Sequence, residues 1–136
     1  RNYEFFFLKN LSKIKINKSH LNDLKKLKKK FYLSVFTSKS KLRTKKILNK
    51  YKLFDFFISA DDVKFGKPNP EGLIKILKKF KVSNKNTIFI GDSIYDYRAS
   101  KKAKIKYLHA KWGYQKNDFS KKIKVINKLY NIQNFF

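Results

Sequence analysis

Three short segments of this chain carry residue types suited to handling phosphate. Thr37 and Ser38, in Phe36-Thr37-Ser38-Lys39, offer hydroxyls; Lys67, in Gly66-Lys67-Pro68-Asn69-Pro70, offers a cation. Asp92, in Ile90-Gly91-Asp92-Ser93, offers a carboxylate, with Asp96 four residues on. Each segment ends or follows an apolar, β-like run. A hydroxyl between a strand and a helix, beside the helix's first unpaired N–H groups, suits a phosphate oxygen. Thr37 fits that description, and a plain helix cap is the alternative use of the same residue. Gly66 lets the chain turn, and Pro68 restricts the backbone of Lys67 to an extended form. That gives Lys67 a defined direction; a surface lysine in a proline-rich turn is the competing reading. Gly91 permits a tight turn after the most strand-like run, which sets Asp92 just outside the sheet. Asp96 lies one helical turn later on the same face, so the two carboxylates can converge on a hard cation such as Mg²⁺. Acids complementing a helix dipole would look similar. The chain has only nine acids, which argues against two of them here being surface decoration.

These residues need elements that bring them together. A helix is predicted from Ser19, with Ser19 as cap, Asp23 in the first turn, and Leu21, Leu24 and Leu27 on one face. Residues 31–36 read as a strand and 40–51 as a helix with Leu42, Ile47, Leu48 and Tyr51 inward. Residues 54–59 read as a short strand and 61–67 as a loop. Asn69 is a suitable cap and Pro70 a suitable first residue for a helix through Phe80, with Leu73, Ile74, Ile76, Leu77 and Phe80 on its apolar face. A strand over 87–90, a helix over 95–102 and a strand over 105–109 follow. Val125, Ile126, Leu129 and Tyr130 suggest a closing helix. Residues 1–18 are ambiguous: 3–8 are aromatic and apolar, and 11–18 alternate with lysine. Strand and helix in alternation predict an α/β fold, a Rossmann-like parallel sheet with helices on both faces. Ligands in such folds sit at the carboxyl ends of strands, where Thr37 and Asp92 fall.

Composition bounds the partners. The 136 residues suffice for one domain with a core, at 42% hydrophobic and 17% aromatic. No apolar run reaches the ~18 residues of a membrane span, so no membrane partner is expected. The absence of cysteine excludes disulfides and thiolate metal sites and fits a reducing, cytoplasmic setting. The net charge of +26 resembles a nucleic-acid binder, but of 35 basic residues only Arg1, Arg43 and Arg98 are arginine. The lysines spread over every segment, and the abundance of Lys, Asn, Ile, Phe and Tyr fits A/T-rich codons. A solvated basic surface is the reading, and nucleic acid is not an expected partner despite the charge. The chain has no methionine and opens on Arg1, and is read as a piece of a longer protein.

Taken jointly, the three segments resemble the haloacid dehalogenase superfamily of phosphohydrolases, and within it phosphoglycolate-phosphatase-like members. Thr37-Ser38-Lys39 looks like the second motif, Lys67-Pro68-Asn69-Pro70 like the third, and Gly91-Asp92-Ser93 with Asp96 like the fourth. The separations, 30 residues from Thr37 to Lys67 and 25 from Lys67 to Asp92, fit. Lys111-Trp112-Gly113-Tyr114 matches a loop often seen after the next strand. The resemblance runs from about Ser19 to Gly113.

The resemblance implies Mg²⁺-dependent hydrolysis of a small phosphorylated metabolite through an aspartyl-phosphate. Thr37 and Ser38 would bind phosphate, Lys67 would hold charges together, and Asp92 would bind Mg²⁺. Asp96 would support the metal site or orient Lys67. The first motif, an aspartate pair that supplies the nucleophile, has no counterpart here; Asp61-Asp62 is an adjacent pair in the wrong context. Residues 1–18 would be the tail of a cap and its return into the core, and 19–136 a core domain incomplete at its N-terminus. The first-motif strand would lie between the strands carrying Thr37 and Asp92. A catalytically inactive binding protein is the alternative, and a basic nucleic-acid binder a more distant one. Trp112 and His109 are further candidates to line the site, although a lone histidine there is more often structural.

Overall fold

The computed structural model describes residues 16–115 and 121–136. Helix α1 (Lys18–Lys28) is capped by Asn17, whose side chain accepts the Ser19 N–H at 2.8 Å. Ser19 is therefore inside the helix rather than its cap, and Asp23 falls beyond the first turn. Asp23 instead accepts the Tyr130 N–H at 3.3 Å, tying α1 to the C-terminal segment.

Among the described residues five strands and three further α-helices follow in alternation, except that β5 follows β4 with no α-helix between them. They are β1 (Ser34–Phe36), α2 (Lys41–Leu48), β2 (Phe56–Ile58), α3 (Glu71–Phe80), β3 (Ile88–Gly91), α4 (Ile94–Ala103), β4 (Lys106–Ala110) and β5 (Lys124–Ile126). All pairings are parallel: β1 with β2, and β3 with β4 and β4 with β5. The period-two geometry of a strand divides the core into two layers. On β3, Ile88 and Ile90 pack with Leu27, Leu33, Leu108, Ile126 and Ile132, beneath α1 and the C-terminal segment. Phe89, between them, packs with Phe36, Ile58, Leu73, Ala99 and Ile105, beneath α3 and α4. Leu27 and Leu108 are fully buried, each contributing roughly 2–3 kcal/mol relative to exposure. The fold is thus the parallel α/β architecture that strand–helix alternation predicts.

Three expectations about the elements are corrected. The closing helix does not form: Val125 and Ile126 belong to β5, with Ile126 buried and Val125 45% exposed, and Leu129–Phe135 is a 3₁₀ helix. Alternation of buried and exposed β-branched residues is a strand signal, and pairing with β4 satisfies it. Helix α2 also turns a different face inward. Leu42 is 50% exposed, while Arg43 and Thr44 are buried. The Thr44 hydroxyl donates to the Ser40 carbonyl at 2.9 Å, which satisfies it without solvent. Ile74, expected on the apolar face of α3, is 39% exposed.

Among the described residues no strand lies between β1 and β3. Both strands line one apolar cavity of about 420 Å³, together with Leu27, Leu33, Leu73 and Ile132. The family resemblance puts the first-motif strand in this place. The aromatic and apolar residues 3–8 lie outside the described residues. No described helix is long and apolar enough to cross a membrane.

Candidate phosphate site

Thr37 follows β1 directly. Its N–H donates to the Ile58 carbonyl at 3.0 Å, which extends the β1–β2 ladder by one bond. Its hydroxyl oxygen accepts the Lys39 N–H at 3.2 Å. The cap of α2 is Ser40, whose hydroxyl oxygen accepts the Arg43 N–H at 3.4 Å. The helix-cap use proposed for Thr37 therefore belongs to Ser40. Thr37 and the exposed Ser38 stand in the turn between strand and helix.

Lys67 reaches the same place from the loop before α3. The loop is held by Glu71, in the first turn of α3. The Glu71 carboxylate accepts the N–H groups of Lys64 and Phe65 at 3.0–3.1 Å and pairs with Lys75 at 2.8 Å. The Lys75 hydrogen bond, with those of Phe65 and Lys64, holds the Glu71 carboxyl down at about 2. Asn69 accepts the Glu71 N–H at 2.9 Å, while the formal cap position is Pro70. So α3 begins one residue later than expected, with Asn69 still acting as the side-chain acceptor. The Lys67–Pro68 peptide is cis.

The Lys67 ammonium donates to Asp96 Oδ1 at 2.6 Å and to the Phe36 carbonyl, at the end of β1, at 3.4 Å. It also lies 5.2 Å from the centre of the Phe36 ring. Both partners of the ion pair are largely buried, Lys67 at 13% and Asp96 at 5% side-chain exposure. Lys67 thus joins the end of β1 to α4 across the two sheets.

Asp96 is fully engaged. Its Oδ2 accepts the N–H groups of Asp92 and Ser93 at 3.1 and 3.2 Å, and Ser93 in return accepts the Asp96 N–H at 3.2 Å. This is a capping box at the start of α4. Asp92 is held differently. Its Oδ2 accepts the Tyr114 N–H at 2.8 Å, and its carbonyl accepts the Gln115 N–H at 3.1 Å. Gly113 presses on it: a Cβ at that position would meet the Asp92 Cβ at 2.2 Å.

Thr37, Ser38, Lys67, Asp92 and Asp96 line one open cleft of about 980 Å³ at the carboxyl ends of β1 and β3. The residues singled out in sequence thus come together in space. Trp112 lines the cleft as well; His109 is buried on β4 instead. Sequence reasoning missed Arg43, a buried arginine on α2 that lines the cleft, and Glu71, which fixes the Lys67 loop. An arginine among lysines was a signal for the first, and an acid just after Asn69-Pro70 for the second.

Among the described residues, no group of three or more His, Cys, Asp or Glu side chains is placed to hold a metal. Mg²⁺ does not need one: it keeps several waters and takes one or two carboxylates with substrate phosphate. Asp92 fits as one such carboxylate. Asp96, with its oxygens on Lys67 and the helix N–H groups, fits better as the residue that orients Lys67.

Strand-end hydroxyls, an ammonium held by an ion pair and a carboxylate thus share one cleft of an α/β protein. Comparison with known proteins gives the class its family. The family model described as haloacid dehalogenase-like hydrolase matches residues 3–110, and the chain belongs to that family. Pyrophosphatase PpaX of Halalkalibacterium halodurans is 34% identical over 79 residues, which span 56% of this chain and 37% of that protein. Phosphoglycolate phosphatase of Aquifex aeolicus is 34% identical over 97 residues, spanning 68% of this chain and 46% of that protein. The chain therefore spans less than half the length of these curated relatives. Among solved structures, a Lactobacillus plantarum protein assigned as a phosphoglycolate phosphatase superposes with a TM-score of 0.88. It is 27% identical, with 98% of this chain and 67% of that chain covered.

Proposed function

We propose that the full-length protein containing this chain is a Mg²⁺-dependent phosphatase acting on a small phosphorylated metabolite. The observation that carries this reading is the convergence of Thr37, Lys67 and Asp92 on one cleft, with Lys67 locked by Asp96 at 2.6 Å. The names of the relatives, a pyrophosphatase and a phosphoglycolate phosphatase, support the substrate class.

In this reading the Thr37 hydroxyl and Ser38 bind phosphoryl oxygens. Lys67 neutralises charge between the phosphate and the attacking carboxylate, and Asp96 keeps its ammonium in place. Asp92 holds Mg²⁺, which would stabilise charge on the phosphoryl oxygens when bound. Catalysis of this kind is mostly positioning and electrostatics. The nucleophilic aspartate of this mechanism, whose motif has no counterpart in this sequence, would stand on a strand between β1 and β3. The apolar cavity shared by those strands supports that assignment. Residues 19–136 act as the core domain, and residues 1–18 as the return from a cap.

The test is hydrolysis of a panel of phosphate monoesters by the full-length protein, with and without Mg²⁺, in wild type and Asp92→Asn. Mg²⁺-dependent turnover reduced about a hundredfold or more by Asp92→Asn is expected, as for loss of one preorganised electrostatic group. A folded full-length protein with no turnover would favour the inactive binding protein.

A further inference from the structure

We propose that His109 is a positioning residue for the Asp92 carboxylate, acting through the loop that follows β4. The proposal rests on the phosphatase reading for its consequence and on this structure for its geometry. His109 is 1% exposed and stands on β4 in register with Gly91, the residue before Asp92. Its Nε2 lies 2.6 Å from the Gln115 carbonyl oxygen, and its Nδ1 lies 3.0 Å from the Tyr107 hydroxyl. A carbonyl can only accept, so Nε2 carries the proton and donates. Nδ1 then accepts from the Tyr107 hydroxyl, which also lies 3.5 Å from the Ser93 carbonyl. Burial, reinforced by the charges of Asp96 and Asp92, raises the Tyr107 hydroxyl above its ordinary value, so it stays a donor.

Gln115, the residue that His109 fixes, is joined three ways to the candidate site. Its carbonyl takes the imidazole proton, its N–H donates to the Asp92 carbonyl at 3.1 Å, and its side-chain oxygen accepts the Ile94 N–H at 2.9 Å. The neighbouring Tyr114 N–H is the donor on Asp92 Oδ2. Gly113 closes the other side by lying too near Asp92 to tolerate a Cβ. A buried imidazole therefore sets the height of the loop from which the carboxylate is gripped. An aliphatic residue at 109 would leave the Gln115 carbonyl without that donor. Residues that fix a metal ligand from behind in this way change metal affinity without touching the metal.

The experiment uses full-length protein in three forms: wild type, His109→Leu and His109→Gln. Glutamine keeps a side-chain N–H donor for the Gln115 carbonyl; leucine does not. The metal-free readout is the Tyr114 amide resonance in a ¹⁵N–¹H spectrum, which reports its hydrogen bond to Asp92. The second readout is the Mg²⁺ concentration for half-maximal hydrolysis. His109→Leu is expected to move the Tyr114 resonance and to raise the Mg²⁺ requirement about tenfold, with His109→Gln close to wild type. Tyr107→Phe keeps the core volume and serves if His109→Leu fails to fold; it should move the Tyr114 resonance in the same direction by less. An unmoved Tyr114 resonance in the folded variants, or His109→Gln as impaired as His109→Leu, overturns the proposal. A wild-type protein without Mg²⁺-dependent turnover would overturn the phosphatase reading alone, because the resonance tests the positioning role without metal.

Discussion

Two strand-to-helix junctions sit at the same end of the molecule and are built in opposite ways. After β3, the turn into α4 is bound on every side: a reciprocal Ser93–Asp96 cap, an ion pair to Lys67, and Tyr114 and Gln115 donating to Asp92. After β1, the turn into α2 is open on its solvent side, while on the other the Lys39 carbonyl accepts the Ala60 N–H and Asp61 accepts the Lys41 N–H. Ser38 and Lys39 are exposed, and the Ser40 cap is a long 3.4 Å hydrogen bond. The difference matches the demands of the two proposed ligands. A carboxylate that must hold a divalent ion needs one fixed orientation. A turn that must receive a phosphate needs donors that face water until the ligand arrives. Lys67 spans the two junctions, touching the Phe36 carbonyl on one side and Asp96 on the other.

That contrast can be broken first at Lys67. Lys67→Met should remove the only partner of Asp96 that carries a charge among the described residues, leaving a carboxylate at 5% exposure. Loss of one partner of a buried pair costs about 3 kcal/mol, readable by urea denaturation of the full-length protein. A cost below about 1 kcal/mol would show that the frame around α4 does not depend on the pair. At the open junction, Ser40→Ala should cost about 1 kcal/mol or less by the same measurement, as for a weak helix cap. Equal costs at the two junctions would remove the contrast.

A subtler prediction concerns acid. Burial pushes the Asp62 carboxyl up, but hydrogen bonds from Lys41 and Ser59 outweigh it and hold it at about 2, against 3.8 ordinarily. Glu71 is likewise held at about 2, against 4.5. Groups with depressed folded values add stability above their unfolded values and lose it as pH falls through the folded ones. The melting temperature should therefore fall between about pH 4.5 and 2, with Glu71→Gln and Asp62→Asn each flattening part of that slope. Glu71 holds the Lys67 loop and Asp62 pairs with Lys41 at the start of α2, so acid loosens two supports of the cleft.

The sequence made the α/β order and the cleft residues legible because both follow local rules. Runs such as Ile88-Phe89-Ile90 before a glycine mark a strand end, and Asn69-Pro70 marks a helix start. What escaped was set by tertiary partners. Nothing local distinguishes Asn17 from Ser19 as the cap of α1, since either side chain can accept the N–H groups at that start. Val125-Ile126 became a strand because β4 offered an edge to pair with. Leu42 turned outward while Arg43 turned toward the cleft, an arrangement that apolar periodicity cannot foresee. Local pattern leaves Asp96 between metal ligand and orienting group, and its 2.6 Å contact with Lys67 supports the second. Gln115 is invisible to motif reasoning because its bonds to His109 and Asp92 run through its backbone carbonyl and amide.

In the proposed site Thr37 and Asp92 act on one phosphate. Binding of inorganic phosphate to the full-length protein, measured by calorimetry with and without Mg²⁺, tests it in a double-mutant cycle of Thr37→Ala and Asp92→Asn. Thr37→Ala should weaken phosphate about tenfold, as for a hydrogen bond to a charged group, while leaving stability within about 0.5 kcal/mol. Asp92→Asn should abolish the enhancement by Mg²⁺, and the two changes together should fall short of their sum because they share a ligand. Phosphate affinity that is unchanged in both variants, or losses that add independently, would contradict a single site.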